Sequence, residues 1–170
     1  AGNLPALQAA VDAGANAVYA GFRDQTNARA FPGLNFSDEE LRAGIRYAHA
    51  KGAKVYLALN TYPDSARLPQ WHATVDKAAE FGCDAIIAAE MAVLDYAART
   101  HPGLPRHLSV QGSATTAPAL KYTFERFGIS RAVLPRVLSL QQVERLCEKS
   151  PVALEVFAFG SLCIMVEGRC

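Results

Sequence analysis

Two thiols stand near the end of the chain, Cys163 and Cys170, in the run Gly160-Ser161-Leu162-Cys163-Ile164-Met165-Val166-Glu167-Gly168-Arg169-Cys170. Thiolates in such a loop can ligate a soft metal or an iron–sulfur cluster. A single C-x6-C is a weak pattern, and spacing alone leaves two unrelated thiols equally open. The other cysteines read differently. Cys147 follows Leu140, Val143 and Leu146 along a helical stripe, and Cys83 precedes an apolar strand, so both are expected in the core. His49, His72, His101 and His107 show no His-Glu-x-x-His or related ligand spacing, and surface or helix-face positions are expected for them. There is no Gly-x-Ser-x-Gly elbow, Ser/His/Asp order or zinc motif, so proteolysis gains little support.

A second set of candidates consists of polar residues at or near the ends of apolar runs. Asn60 closes Val55-Tyr56-Leu57-Ala58-Leu59, and Gln111 closes Leu108-Ser109-Val110. Strand alternation places Val55, Leu57 and Leu59 on one face and Tyr56, Ala58 and Asn60 on the other. Glu155 lies inside Val152–Phe157, where a carboxylate needs a partner; Arg136, just after Leu134-Pro135, is the nearest candidate. The long segment 21–36 adds Asn27 and Arg29. Together Asn27, Arg29, Asn60, Gln111, Arg136 and Glu155 are expected to line a cavity for a small polar or anionic ligand. No residue is assigned a bond-making role.

These residues need elements to hold them, and the sequence marks those elements by repetition. A helical stretch ends at Gly, and a short polar step leads into an apolar strand: Ala13-Gly14-Ala15-Asn16-Ala17-Val18-Tyr19, Phe81-Gly82-Cys83-Asp84-Ala85-Ile86-Ile87 and Phe127-Gly128-Ile129-Ser130-Arg131-Ala132-Val133, with a looser copy at Lys51–Leu57. Ser37–Glu40 and Ser139–Gln142 form capping boxes, flanked by the staple pairs Phe36/Leu41 and Leu138/Val143. Pro5 and Pro69 suit first helical turns. The pattern predicts helices near 4–13, 37–51, 70–81, 90–100, 116–127 and 139–148. It predicts strands near 16–20, 54–60, 84–89, 107–111, 130–134 and 152–158. Strict alternation argues for an α/β fold with parallel strands and right-handed crossovers. Six strands fall short of the eight that close a TIM-like (β/α) barrel. The 170 residues therefore read as a single domain, an incomplete parallel β/α barrel forming the N-terminal part of a longer chain. An open doubly wound sheet is the alternative, but no Gly-x-Gly-x-x-Gly follows any strand.

Composition narrows the classes. The 17 basic and 16 acidic residues nearly cancel, which gives nucleic-acid binding no support from charge. No apolar run is long enough to span a membrane. Four cysteines are too few for a disulfide scaffold of this length, and a reducing cytoplasm is the expected compartment.

The stretch Glu155–Cys163, followed by Glu167-Gly168-Arg169-Cys170, resembles the signature region of the collagenase-like peptidase family, family thirty-two of the unclassified peptidases. Ala1-Gly2-Asn3, Ala17–Gly21, Asn27-Ala28-Arg29, Ser109-Val110-Gln111 and Val133–Arg136 fit as well, so the resemblance covers essentially the whole chain. It is nearest to the UbiU-type, ubiquinone-biosynthesis branch. The resemblance implies a barrel-like fold and a [4Fe-4S] cluster held by four cysteines, with Cys163 and Cys170 as the first two and the others beyond residue 170. It further implies O2-independent hydroxylation of the quinone ring, a small-molecule substrate, and a heterodimer with a homologous, UbiV-like subunit. A collagenase-like peptidase, a relative that hydroxylates RNA, and a non-catalytic scaffold remain alternatives.

Overall fold

The computed structural model describes residues 1–160. Strands and helices alternate along them: α1 (Leu4–Asp12), β1 (Ala17–Ala20), α2 (Asp38–Ala50), β2 (Lys54–Leu59), α3 (Leu68–Phe81), β3 (Ala85–Ala88), α4 (Met91–Thr100), β4 (Arg106–Leu108), α5 (Ala117–Phe127), β5 (Arg131–Val133), α6 (Leu140–Lys149) and β6 (Ala153–Glu155). The local signals act as expected. Ser37 and Ser139 each accept from the backbone three residues on, and Glu40 and Gln142 return the bond. Gly82 and Gly128 end α3 and α5 in the left-handed region, with φ of 78° and 60°, where a Cβ would be strained.

All strand pairs are parallel, in the spatial order β1-β2-β3-β4-β5-β6. Sequential order, with every crossover of one hand, puts all the helices on one side of the sheet. The burial pattern agrees. Leu7, Leu41, Ile45, Trp71, Val75, Leu94 and Leu120 from the helices share one core with Val55, Leu57, Leu59 and Ile86 from the strands. The opposite face has its own small cluster, Tyr56, Ala85 and Ile87, with Ala17 and Tyr19 against it. This is the arc of a β/α barrel with an inner, lumenal face, as the repeats predicted.

Three details differ from the sequence reading. β4 ends at Leu108, and Ser109 then caps a short 3-10 turn, Val110–Gly112, so Gln111 sits on that turn rather than at a strand end. β6 stops at Glu155, which therefore closes the strand instead of lying inside it. Cys147 is exposed. The apolar stripe of α6 runs through Val143 and Leu146, and one further residue turns the chain by about 100°, out of the core.

At the other end of the strands, Arg106 ties two loops together. Its guanidinium, buried with its residue 9% exposed, donates to the carbonyls of Phe127 (2.8 Å), Leu104 (2.8 Å) and Gly128 (3.2 Å). These carbonyls belong to the turns entering β4 and β5, so one side chain satisfies groups that no strand ladder reaches.

Candidate functional site

In this architecture ligands meet the C-terminal ends of the strands, and segment 21–36, after β1, builds much of that mouth. It is held by side chains rather than by regular structure. Asn27, buried, donates from Nδ2 to Asn35 Oδ1 (2.9 Å) and accepts at Oδ1 from the Arg29 backbone N–H (3.1 Å). Asn35 donates in turn to the Arg29 carbonyl (2.6 Å), from a left-handed backbone (φ 71°) that Asn tolerates better than most residues. Asn60, just past β2, accepts from the Ala28 backbone N–H (2.9 Å). The structure thus gathers Asn27, Asn60 and the backbone of Arg29 into one network, with the Arg29 side chain exposed at the mouth. Asn27 and Asn60 act as positioning groups: their amide oxygens are committed to the loop.

The network depends on Gly21. A Cβ there would lie 2.1 Å from Asn27 Nδ2 and 2.7 Å from its Cγ. Gly21→Ala should therefore expel the Asn27 side chain. The expected cost is about 2 kcal/mol, the scale of overpacking a filled site, with hydrogen-exchange protection lost selectively across residues 21–36. Unchanged protection there would contradict this role.

Beside the loop, Tyr62 donates its hydroxyl to the Gln111 carbonyl (2.6 Å), joining the β2 and β4 ends of the mouth. Burial pushes the Tyr62 hydroxyl upward, and the nearby Glu90 carboxylate adds to the shift. Arg136 and Glu155 sit further round the arc with other partners. The Arg136 guanidinium lies 4.5 Å over the Phe157 ring, and Glu155 pairs with Arg131 Nη1 at 3.0 Å. The partner expected for Glu155 was Arg136. Arg131 takes that place because it points to the same face as Val133, the register partner of Glu155.

Sequence reasoning missed the lumenal wall. Tyr19 and Tyr56 pack at 5.8 Å, Tyr56 meets the His107 ring edge-on at 4.8 Å, and the Arg131 guanidinium lies 5.8 Å from the Tyr56 ring. His107 is therefore buried on the inner face and does not take the surface or helix-face position expected of it. The other three histidines do lie on the helical side: His49 against Asp84, His72 stacked on Tyr96, His101 against Asp76. Burial, reinforced by Arg131 and Lys54, pushes His107 down to about 4, so its imidazole is neutral at pH 7. Burial also pushes the Glu155 carboxyl up, in spite of Arg131 beside it. The alternation that placed Tyr56 opposite the helix layer could have located His107 and Arg131 too, because both lie on strands.

The expected cluster ligands, Cys163 and Cys170, lie outside the described residues. Among the described residues no group of three or more His, Cys, Asp or Glu side chains is placed to hold a metal ion. Cys83 is buried, and desolvation, with Asp84 adding to it, pushes its thiol up to about 12, the opposite of what a thiolate ligand needs. The described residues thus do not by themselves fit an iron–sulfur centre.

The pattern of Peptidase family U32 matches residues 2–170. The chain belongs to the U32 family. It is 34% identical over 176 residues to the tRNA hydroxylation protein P of Escherichia coli, covering 100% of this chain and 37% of that protein. It is 34% identical over 180 residues to a collagenase of Porphyromonas gingivalis, covering 99% of this chain and 42% of the other. The U32 member therefore spans roughly two fifths of the length of these relatives. Among solved structures, the U32 peptidase Mk0906 superposes with a TM-score of 0.69 at 17% identity, over 86% of this chain and 63% of that one, which supports the barrel-type fold. No helix among the described residues is long and apolar enough to cross a membrane.

Proposed function

We propose that the protein carrying this U32 segment is part of an O2-independent hydroxylation system that acts on a planar ring, with a tRNA base as the first candidate substrate. The observation that carries the reading is the 34% identity, across the whole chain, to a protein named for tRNA hydroxylation. The geometry supports it in two ways. The lumen has an aromatic wall in which Tyr19, half-buried against the buried Tyr56, leaves part of its ring for a flat ring to pack on. The mouth is set by backbone-anchored side chains, so a reacting group would meet a preorganised rim. In this reading Arg29, exposed at the mouth, and Arg136 are charge-assisted donors to the substrate, and Cys163 and Cys170 are two ligands of a [4Fe-4S] cluster that supplies the redox chemistry.

A second reading, hydroxylation of the ubiquinone ring together with a UbiV-like homologous subunit, is favoured by one observation. The net charge of +1 lacks the basic excess by which proteins usually gather a polyanionic RNA. The peptidase reading draws on the collagenase relative but finds no nucleophile–base pair among the described residues. Purified full-length protein, handled without O2, tests this directly. It is expected to leave collagen and casein intact. Cleavage that is lost on chelation and restored by metal would overturn the hydroxylation reading.

A further inference from the structure

Segment 21–36 carries, beyond its buried network, an exposed apolar turn. Among the described residues, every large apolar side chain that stands exposed, Tyr122 and Phe124 apart, follows the C-terminal end of a strand, no later than the first turn of the next helix. Exposed apolar surface gathered on one face marks a binding surface. Phe31, 60% exposed, is the part of it best fixed in place. Its carbonyl accepts from the Leu34 N–H (3.1 Å), with Pro32 second and Gly33 third in the turn, and Gly33 takes the φ of 78° that a type II turn requires there. The Phe31 N–H donates to the Arg29 carbonyl (2.8 Å), which Asn35 Nδ2 also holds. The turn is thus tied at its base to the Asn27–Asn35 network. Beside Phe31 lies a cleft of about 210 Å³, lined by Arg23, Ala30, Phe31, Pro32, Gly33 and Leu34. Whole small-molecule ligands occupy clefts of about 300–1,000 Å³, so this one has room for a single ring and none for a partner's helix. Arg23 is the one charged side chain in the lining, and Asn35 (Nε to the carbonyl, 3.0 Å) and Glu40 (Nη2, 2.6 Å) fix its guanidinium. Arg29, one residue before Ala30, is exposed, and its guanidinium makes no ion pair or hydrogen bond among the described residues.

We propose that this cleft grips one unpaired nucleobase of an RNA substrate, beside the base that enters the lumen: Phe31 stacks on it, the Arg23 guanidinium meets its edge, and Arg29 pairs with its phosphate. This grip rests on the tRNA-base reading above and adds where the strand is held and by which groups. Unpaired bases are bound on an aromatic face with arginine nearby, because every base has a π-face and its phosphate needs a cation. Ring, edge and phosphate of one nucleotide thus each meet a group at the turn. Glu40 offsets the charge of Arg23, whose guanidinium still has N–H donors to offer, so the phosphate falls to Arg29. The turn stands at the mouth, since the same segment is fastened to the end of β2 through Asn60. A local grip of this kind also fits a net charge of +1, because a cation placed at one phosphate does not require a basic surface.

The test is fluorescence anisotropy of a fluorescein-labelled RNA hairpin with an unpaired loop, and of a duplex of the same length, titrated with the full-length protein without O2. The hairpin is expected to bind about tenfold or more tighter than the duplex. Phe31→Ala should weaken the hairpin about tenfold, the scale of one lost stack, and leave the duplex unchanged, and Phe31→Trp should restore the parent affinity. Arg29→Gln should weaken the hairpin and lower the slope of log K against log salt by about one, as loss of one phosphate contact does. Lys121→Gln, on the outer helix α5, should change neither. Phe31 is exposed, so thermal melts of its variants should coincide with the parent's and keep the binding result separate from folding. Hairpin binding undiminished in Phe31→Ala, or as weak in Phe31→Trp as in Phe31→Ala, would overturn the grip and leave the tRNA reading standing. Undiminished binding together with a changed oligomeric state of Phe31→Ala in light scattering would assign the turn to contacts between copies instead. No binding of either RNA by the parent protein would overturn the grip and the tRNA reading together.

Discussion

Cys163→Ala or Cys170→Ala in the full-length protein is expected to strip its iron and abolish hydroxylation, a loss of at least about 1000-fold in rate if the cluster performs the redox step. A four-thiolate shell does not survive the loss of one soft ligand to a methyl group, because the iron it held is left to water. The two other cysteines are the controls. Cys83→Ala should keep full iron content and lose about 1 kcal/mol of packing, since the thiol is buried and serves as a small apolar group. Cys147→Ala should change stability by less than about 0.5 kcal/mol, because that side chain is exposed on α6. Iron analysis of the anaerobically purified variants reads this out. Full iron in the Cys163 and Cys170 variants would remove the cluster from these residues.

The largest expected effect on stability belongs to Arg106→Met. The methionine fills most of the space but returns no hydrogen bond to the carbonyls of Phe127, Leu104 and Gly128, and removing such a buried donor set costs about 3 kcal/mol or more. For a domain of this size that corresponds to a fall of roughly 10 °C in melting temperature. Arg106→Lys should fall between, since an ammonium can reach one or two of the carbonyls but lacks the planar fork. A thermal melt of Arg106→Met within about 2 °C of the parent would show that water replaces those bonds at little cost.

The barrel was legible in the sequence because its signals are local. A Gly that ends a helix, a Ser that starts one and an apolar run between them each specify their own segment, and four copies of the helix-to-strand step with two Ser capping boxes leave few topologies. The same holds for the division of β2 into a helix-facing set (Val55, Leu57, Leu59) and a lumenal set that includes Tyr56. What was not legible depends on stagger between strands. Glu155 met Arg131 rather than Arg136 because parallel register sets Val133, not residue 136, beside it. Gln111 left the strand because Ser109 caps a 3-10 turn one residue after β4 ends. His107 looked like an ordinary surface histidine until β4 and β2 were seen to bring it against Tyr56 across the curve of the sheet. Of the mouth, Asn27 and Asn60 were expected to line a ligand cavity; their oxygens are spent on shaping segment 21–36, a role that spacing alone cannot distinguish from ligand contact.

The most direct measurement of the central claim is the hydroxylated product in cells. A strain lacking the gene, grown without O2 and compared with the same strain carrying the restored gene, is analysed by mass spectrometry of its tRNA nucleosides and its quinone precursors. The account predicts that a nucleoside heavier by one oxygen atom disappears on deletion and returns with the wild-type gene but not with Cys163→Ala. The same behaviour in a quinone precursor would keep hydroxylation and select the ubiquinone reading of the substrate. Both pools unchanged by deletion would contradict the assignment of a hydroxylation function to this member of the U32 family.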